Sequence, residues 1–278
     1  MKLSVIVVNR NACALLKQAL ISLINACKDI DYELFIVVNA STDKSLEMLE
    51  NNFPQAHLIA NNTDNGIAKA NNQALTLSTG EYILLVNADT ISGKDSPEKM
   101  ISFMDEHTDT GGLGVRMLGP EGRFLPQSIH GLTKPWTAFL KFAGFSKYLS
   151  KTRLYNRNRK DWVEEFQVAE VDILNGAYML IRKSALNETG LFDERFFMFG
   201  YDVDLSYRLR LASFKNYYYP KTYIINFESQ PLAKFSWSYI KYFYGAMFIF
   251  ALKYLLKMPE IKVEGIPQLF HSRYEVKG

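Results

Sequence analysis

The first hundred residues alternate between two hydrophobic periods. Leu3–Val8 is an apolar, β-branched run interrupted only by Ser4, as expected of a strand buried on both faces. Leu15, Leu16, Ala19, Leu20, Leu23 and Ile24 then recur at helical spacing. The pattern goes on to predict a buried strand over 34–38, a helix through Leu46 and Leu49, a short strand over 57–60, a helix over 67–77 and a strand over 82–86. Asn39-Ala40-Ser41-Thr42-Asp43 offers turn and N-cap chemistry before the second helix, and Ser96-Pro97 opens another through Met100, Ile101 and Met104. Strands alternating with helices this regularly imply βαβ units and a parallel central sheet flanked by helices.

The second half is less regular. Val168–Ile181 reads as two strands around Asn175-Gly176, and residues 202–213 as a helix burying Val203, Leu205, Leu209 and Leu211. Residues 217–227 are a strand-like aromatic stretch broken at Pro220, and Trp237 to Lys257 is a long aromatic helix. Residues 147–160 carry six bases and no acid, as an exposed basic loop would.

In parallel α/β sheets ligands bind beyond the carboxyl ends of the strands. The polar groups to inspect are Asn9-Arg10-Asn11 after Val8, Asn39, the run from Asn61 to Gly66, and Asn87-Ala88-Asp89, all of which should share one edge. Length allows one large α/β domain over 1–230, divided near residue 110, with a C-terminal helical appendage over 231–278. A net charge of +3 without a long Lys/Arg run argues against nucleic acid. The two cysteines, Cys13 and Cys27, cannot build a disulfide framework or a zinc cluster, so a reducing cytoplasm is the expected compartment. The amino terminus lacks the pattern of a signal peptide, and the longest uncharged apolar run, Tyr242–Leu252, is well short of the ~20 residues that span a bilayer.

Six blocks occur in a telling order: Val7-Val8-Asn9-Arg10-Asn11; Val37-Val38-Asn39-Ala40-Ser41-Thr42-Asp43; Asn65-Gly66-Ile67-Ala68-Lys69-Ala70-Asn71; Asn87-Ala88-Asp89; Gly176-Ala177 before an apolar strand; and Gly190-Leu191-Phe192-Asp193-Glu194 running through Phe196-Phe197-Met198-Phe199-Gly200-Tyr201-Asp202-Val203-Asp204. In this order the chain resembles the family 2 glycosyltransferases, especially their bacterial rhamnosyltransferase-like branch. The resemblance spans about residues 3 to 230. It implies the A-type nucleotide-diphosphosugar transferase fold, a nucleoside-diphosphate sugar donor, inversion at the sugar carbon, and a divalent Mg or Mn ion.

The resemblance assigns roles. Val8, Asn9, Arg10, Asn39, Asn65, Gly66, Asn87 and Asp89 would form the nucleotide-sugar side, with Asp89 as the metal ligand and Asn87 on the same side if the strand continues. The start of the 67–77 helix would present N–H groups to an anion. Gly176 and Tyr201 would lie on the acceptor side, with Asp202 as the catalytic base, also favoured by a helix amino terminus. Three positions depart from the family pattern: Val38 stands where Asp is usual, Tyr201 where Glu is usual, and Asn226 where a metal-binding His is usual. These losses predict weakened metal binding and keep a second reading open, a non-catalytic relative that binds nucleotide or glycan as a partner subunit. The aromatic, lysine-bearing helix over 237–257 suits either a membrane surface near a lipid-linked glycan acceptor, on the inner face of the cell membrane, or packing on the domain or on a second copy in a homodimer. The absence of G-x-G-x-x-G argues against a dinucleotide dehydrogenase.

Overall fold

The computed structural model describes residues 1–130, 165–227 and 236–254. The elements are β1 (Leu3–Asn9), α1 (Cys13–Ala26), β2 (Tyr32–Asn39), α2 (Ser45–Asn52), β3 (His57–Asn61), α3 (Gly66–Leu75), β4 (Tyr82–Asn87), β5 (Thr90–Ser92), α4 (Ser96–Glu106), β6 (Thr110–Leu118) and α5 (Gln127–His130). They continue with β7 (Ala169–Val171), β8 (Tyr178–Arg182), α6 (Lys183–Thr189), α7 (Tyr201–Leu211), β9 (Lys215–Asn226) and α8 (Trp237–Tyr254). One sheet runs β3-β2-β1-β4-β8-β6-β9-β5, with β7 beside β9.

The α/β class and the helix-flanked sheet agree with the sequence pattern, but the sheet is parallel throughout only in its first half. β3, β2, β1 and β4 all run the same way. β8 runs against both β4 and β6, while β6 and β9 are parallel to each other. The chain leaves β6 at the carboxyl edge and enters β8 from that edge, so β8 must run backwards. This reversal places Gly176 and Ala177, just before β8, beside the end of β4.

Strand alternation divides the core into two layers. Ile6, Phe35, Val37, Ile83 and Leu85 face α3, α6, α7 and α8. Val5, Val7, Leu34, Ile36, Leu84 and Val86 face α1, α2 and α4. Helix α8 buries Phe243, Ala246, Met247 and Phe250 in the first of these layers, so the segment expected as an appendage shares the domain's core. Residues 147–160 and 255–257 lie outside the described residues.

β6, β5 and α6 were not foreseen. Gly111, Gly112 and Gly114 disguise β6, because glycine lacks the side chain that a hydrophobic pattern records. A Cβ on Gly112 would collide with the side chain of Leu174, which explains the small residue there. Pro220 does not break β9. The partner of Val115 is Tyr219 and that of Arg116 is Tyr223, so Pro220 falls in a bulge where no N–H is required.

Candidate active site

The parallel strands deliver their polar ends to one edge, as the sequence suggested. Register places Asn9 beside Val38, and Asn39 beside Asn61. The loops after β1 and β2 then interlock. Asn11 and Ala40 adopt positive φ of 52° and 56°. The Asn11 N–H donates to Ser41 Oγ at 3.0 Å, and the Thr42 N–H donates to Asn11 Oδ1 at 2.7 Å. Asp43 accepts from the Cys13 and Ser45 N–H groups. Burial would raise its carboxyl, but these donors prevail and hold it below the usual range. Asn9 is fully buried, with Nδ2 on Ser41 Oγ at 3.3 Å and with its Oδ1 unsatisfied among the described residues. An unmet acceptor of this kind costs about 1–3 kcal/mol, which a ligand hydroxyl or a water would relieve.

Asp64 is the residue that composition and motif did not single out. Its Oδ2 pairs with the Arg10 guanidinium at 2.7 Å. Its Oδ1 accepts from Asn39 Nδ2 at 2.7 Å and from the Gly66 N–H at 3.0 Å. Asn39 Oδ1 in turn accepts from the Asn65 N–H and from Asn61 Nδ2, and Asn61 exchanges two hydrogen bonds with Gln73. Arg10, Asn39, Asn61, Asp64 and Gln73 therefore form one network across β1, β2, β3 and α3. The only sequence signal for Asp64 was its place in the polar run after β3.

The amino terminus of α3 differs from expectation. The Gly66 N–H is taken by Asp64, and the Ile67 N–H donates to the carbonyl of Phe197 at 2.6 Å. With its first two N–H groups committed inside the protein, this helix end is not an open anion site. Gly66 has φ +74°, and a Cβ there would sit 2.5 Å from the Phe197 oxygen, so both conformation and space select glycine.

Asp89 sits at the end of β4, half-buried. The strand ends at Asn87 and a turn takes Ala88 and Asp89, so the extended geometry expected to align Asn87 with Asp89 stops short. β5 then pairs antiparallel with the end of β9, setting Thr90 against Asn226. The Phe227 N–H donates to the Asp89 carbonyl at 3.0 Å. Asn226, buried, thus occupies the corner beside Asp89. The donor set there is one carboxylate and neighbouring amides, and no cluster of three or more His, Cys, Asp or Glu occurs among the described residues. Oxygen donors of this kind suit a hard cation that takes most of its remaining ligands from phosphate.

Asp202 is brought to the same edge by a chain of bonds. The Asn87 N–H donates to the Ala177 carbonyl at 2.9 Å. The N–H of Gly176, the preceding residue, donates to Asp202 Oδ2 at 3.2 Å, and the Val203 N–H to Oδ1 at 2.9 Å. Burial pushes the Asp202 carboxyl up to about 6, against the pull of these donors. Tyr201, expected on the acceptor side, is instead 6% exposed and packed edge-on to Phe192. Its hydroxyl end fills the space that a side chain at Gly176 would need. A phenol fits this apolar slot where an ionised Glu would be costly.

Behind Asp202 the charges are dense. Asp204 is fully buried, with Arg208 Nε at 2.9 Å, Lys253 Nζ at 2.7 Å and the Tyr254 hydroxyl at 2.7 Å. Lys253 also reaches Asp193 at 2.9 Å, which Arg195 holds from the other side. Burial alone would raise both carboxyls, but Lys253 with Arg208 or Arg195 wins, and both lie below the ordinary range.

A helix-flanked sheet whose parallel half gathers carboxylates and a network of amides at its carboxyl edge is arranged as in the A-type fold of nucleotide-sugar transferases. The model of "Glycosyl transferase family 2" matches residues 4–189, and the chain belongs to that family. It is 32% identical over 162 residues to poly(ribitol-phosphate) beta-N-acetylglucosaminyltransferase TarS of Staphylococcus aureus, covering 56% of this chain and 27% of that protein. The crystal structure of TarS shares the fold, with a TM-score of 0.62 at 23% identity over 91% of this chain and 39% of that one. N-acetylglucosaminyl-diphospho-decaprenol L-rhamnosyltransferase of Mycobacterium tuberculosis is 23% identical over 233 residues, 76% of this chain and 72% of its own length. The fold is shared too by a mannosyltransferase from Pyrobaculum calidifontis in complex with GDP-Man and Mn2+, with a TM-score of 0.57 and 18% identity over 84% of this chain and 58% of that one. The chain thus spans about a quarter of the length of TarS.

Proposed function

We propose that the protein transfers a sugar from a nucleoside diphosphate to a hydroxyl of a surface glycan by a single inverting displacement. The acceptor hydroxyl gives its proton to Asp202 as its oxygen bonds to the sugar carbon. The bond from that carbon to the diphosphate breaks, and the nucleoside diphosphate departs. A divalent cation at Asp89, when bound, would neutralise charge on the leaving diphosphate. Asn9, Arg10, Asn39 and Asp64 frame the nucleoside end. The observation that carries this reading is the Asp202 carboxyl, held by the Gly176 and Val203 N–H groups on the same edge as Asp89, with burial pushing it up to about 6. A half-buried carboxylate whose charged form burial disfavours is costly to keep in a merely binding partner, which weighs against the non-catalytic alternative.

The acceptor is proposed to be lipid-linked, met at the cytoplasmic face of the membrane. The outward side of α8 exposes Trp237, Tyr244 and Phe248 around Lys241, and residues 229–259 contain no acid. No described helix is long and apolar enough to cross a membrane.

The test is nucleotide release from UDP-GlcNAc, UDP-glucose, GDP-mannose and dTDP-rhamnose with Mn2+. At least one should be turned over, and Asp89→Ala and Asp202→Asn should each lower turnover roughly 100-fold or more. Wild-type rates in both variants would end the proposal.

A further inference from the structure

The segment from Gly190 to Gly200 joins α6 to α7 and delivers Asp202 to the site. It is gripped from two sides. On one, the Phe197 carbonyl caps Ile67 and the Phe197 ring lies against Gly66 of α3. On the other, the Phe197 ring stacks on Tyr242 of α8, centroids 4.5 Å apart at 16°, while Phe199 meets Tyr239 and Phe243 edge-on at 5.5 Å. From α8, Lys253 bridges Asp193 near the start of the segment and Asp204 in the first turn of α7, beside Arg208, which joins Asp204 to the carbonyls of Thr189, Gly190 and Leu191 from within α7. Between these ties the chain turns into α7 at Gly200, with φ +83°, a conformation that glycine adopts freely and that does little to fix a direction by itself.

We propose that α8 is a positioning element of the active site: through Lys253 and Tyr242 it sets the direction of the first turn of α7 and so the placing of Asp202. This rests on the reading of Asp202 as the base. Lys253 and Tyr242 are positioning residues; they act on the reaction only through the segment they hold. The Gly176 N–H on Asp202 Oδ2 fixes one end of the carboxylate, but at 3.2 Å it is a long bond that a small rotation of α7 would lose. Misplacing a reacting group by about 1 Å costs on the order of 100-fold in rate.

The experiment uses the full chain with the nucleotide sugar, among UDP-GlcNAc, UDP-glucose, GDP-mannose and dTDP-rhamnose, that the wild type turns over fastest. Lys253→Met, Lys253→Arg, Tyr242→Leu and Asp202→Asn are compared, each checked for folding by circular dichroism. Lys253→Met should lower kcat roughly 10- to 100-fold while the donor KM stays within about twofold, and Lys253→Arg should recover most of that loss. Tyr242→Leu, which keeps the ion cluster, should lower kcat about fivefold at unchanged donor KM, and it decides the matter should Lys253→Met not fold. Folded Lys253→Met or Tyr242→Leu with wild-type kcat, beside an inactive Asp202→Asn, would overturn the positioning role and leave the base in place. An Asp202→Asn variant as active as wild type would overturn the base, and the positioning role with it.

Discussion

The nucleotide side and the base side are built in opposite ways. At the ends of β1, β2 and β3 the groups are mostly neutral amides, Asn9, Asn39 and Asn61 being the last residues of their strands, and they bond to polar groups of the loops that follow. Behind Asp202 the groups are charged and mostly buried, and they come from the segment joining α6 to α7, from α7 and from α8, up to 60 residues apart for the pair of Asp193 and Lys253. The first arrangement should tolerate loss of its ion pair, since the Arg10 side chain is half exposed and Asp64 keeps its neutral donors, Asn39 Nδ2 and the Gly66 N–H. The second does not, since removal of one charge strands another in the interior.

The largest effect should therefore come from Arg208→Ala. Arg208 pairs with fully buried Asp204 and also donates to the carbonyls of Thr189, Gly190 and Leu191. Its loss should cost about 3–5 kcal/mol and lower Tm by roughly 10 °C or more in a thermal melt. A change of a degree or two would show that Lys253 and Tyr254 suffice for Asp204, and that the base side is as tolerant as the other.

Next comes Gly66→Ala, where the two regions touch. The left-handed φ and the close Phe197 oxygen together should cost about 2–3 kcal/mol, read by urea titration. Because Phe197 belongs to the segment that carries Asp202, kcat should fall with stability. An unchanged kcat would mean that the two regions are mechanically separate.

The third prediction concerns pH. The Asp202 carboxyl is raised from 3.8 to about 6 by burial, so folding favours its protonated form. The stability that this supplies is complete below about pH 4 and is lost as pH rises through about 6. Turnover should run the other way, rising through about pH 6 as the base ionises. Asp202→Asn removes the charge but loses an acceptor for one of two N–H groups, so it should gain about 1 kcal/mol at pH 8 and nothing at pH 4. A variant less stable than wild type at pH 8 would show that the ionised carboxylate is well accommodated.

The same contrast explains what could be read from the chain. The first four strands and their helices were legible because each is a local pattern: Leu3–Asn9 differs from the predicted strand by a single residue at its end. Asn9, Asn39 and Asp89 could be found because polar residues follow apolar runs directly. β6 was hidden by glycines, and β8 could be read as a strand but not as one paired with β4 and β6, because pairing depends on residues far away in sequence. Tyr201 looked like a site residue because it stands beside Asp202 in the motif; only packing against Phe192 and Gly176 shows it buried. Lys253 lay in a helix that suited either a membrane surface or packing on the domain, and its partners Asp193 and Asp204 lay in a motif read for the base alone.

The smallest effect belongs to the nucleotide side, at Asp64→Asn. The amide keeps an oxygen for Asn39 Nδ2 and the Gly66 N–H, and loses only the ion pair with Arg10, whose side chain is 48% exposed. Exposed pairs of this kind contribute about 0–1 kcal/mol and are screened by salt. The variant should therefore melt within a degree or two of wild type in dilute buffer, and the gap should close near ~1 M NaCl. A persistent loss of about 3 kcal/mol at high salt, the size expected for Arg208→Ala, would place Asp64 among buried charges and erase the distinction between the two halves.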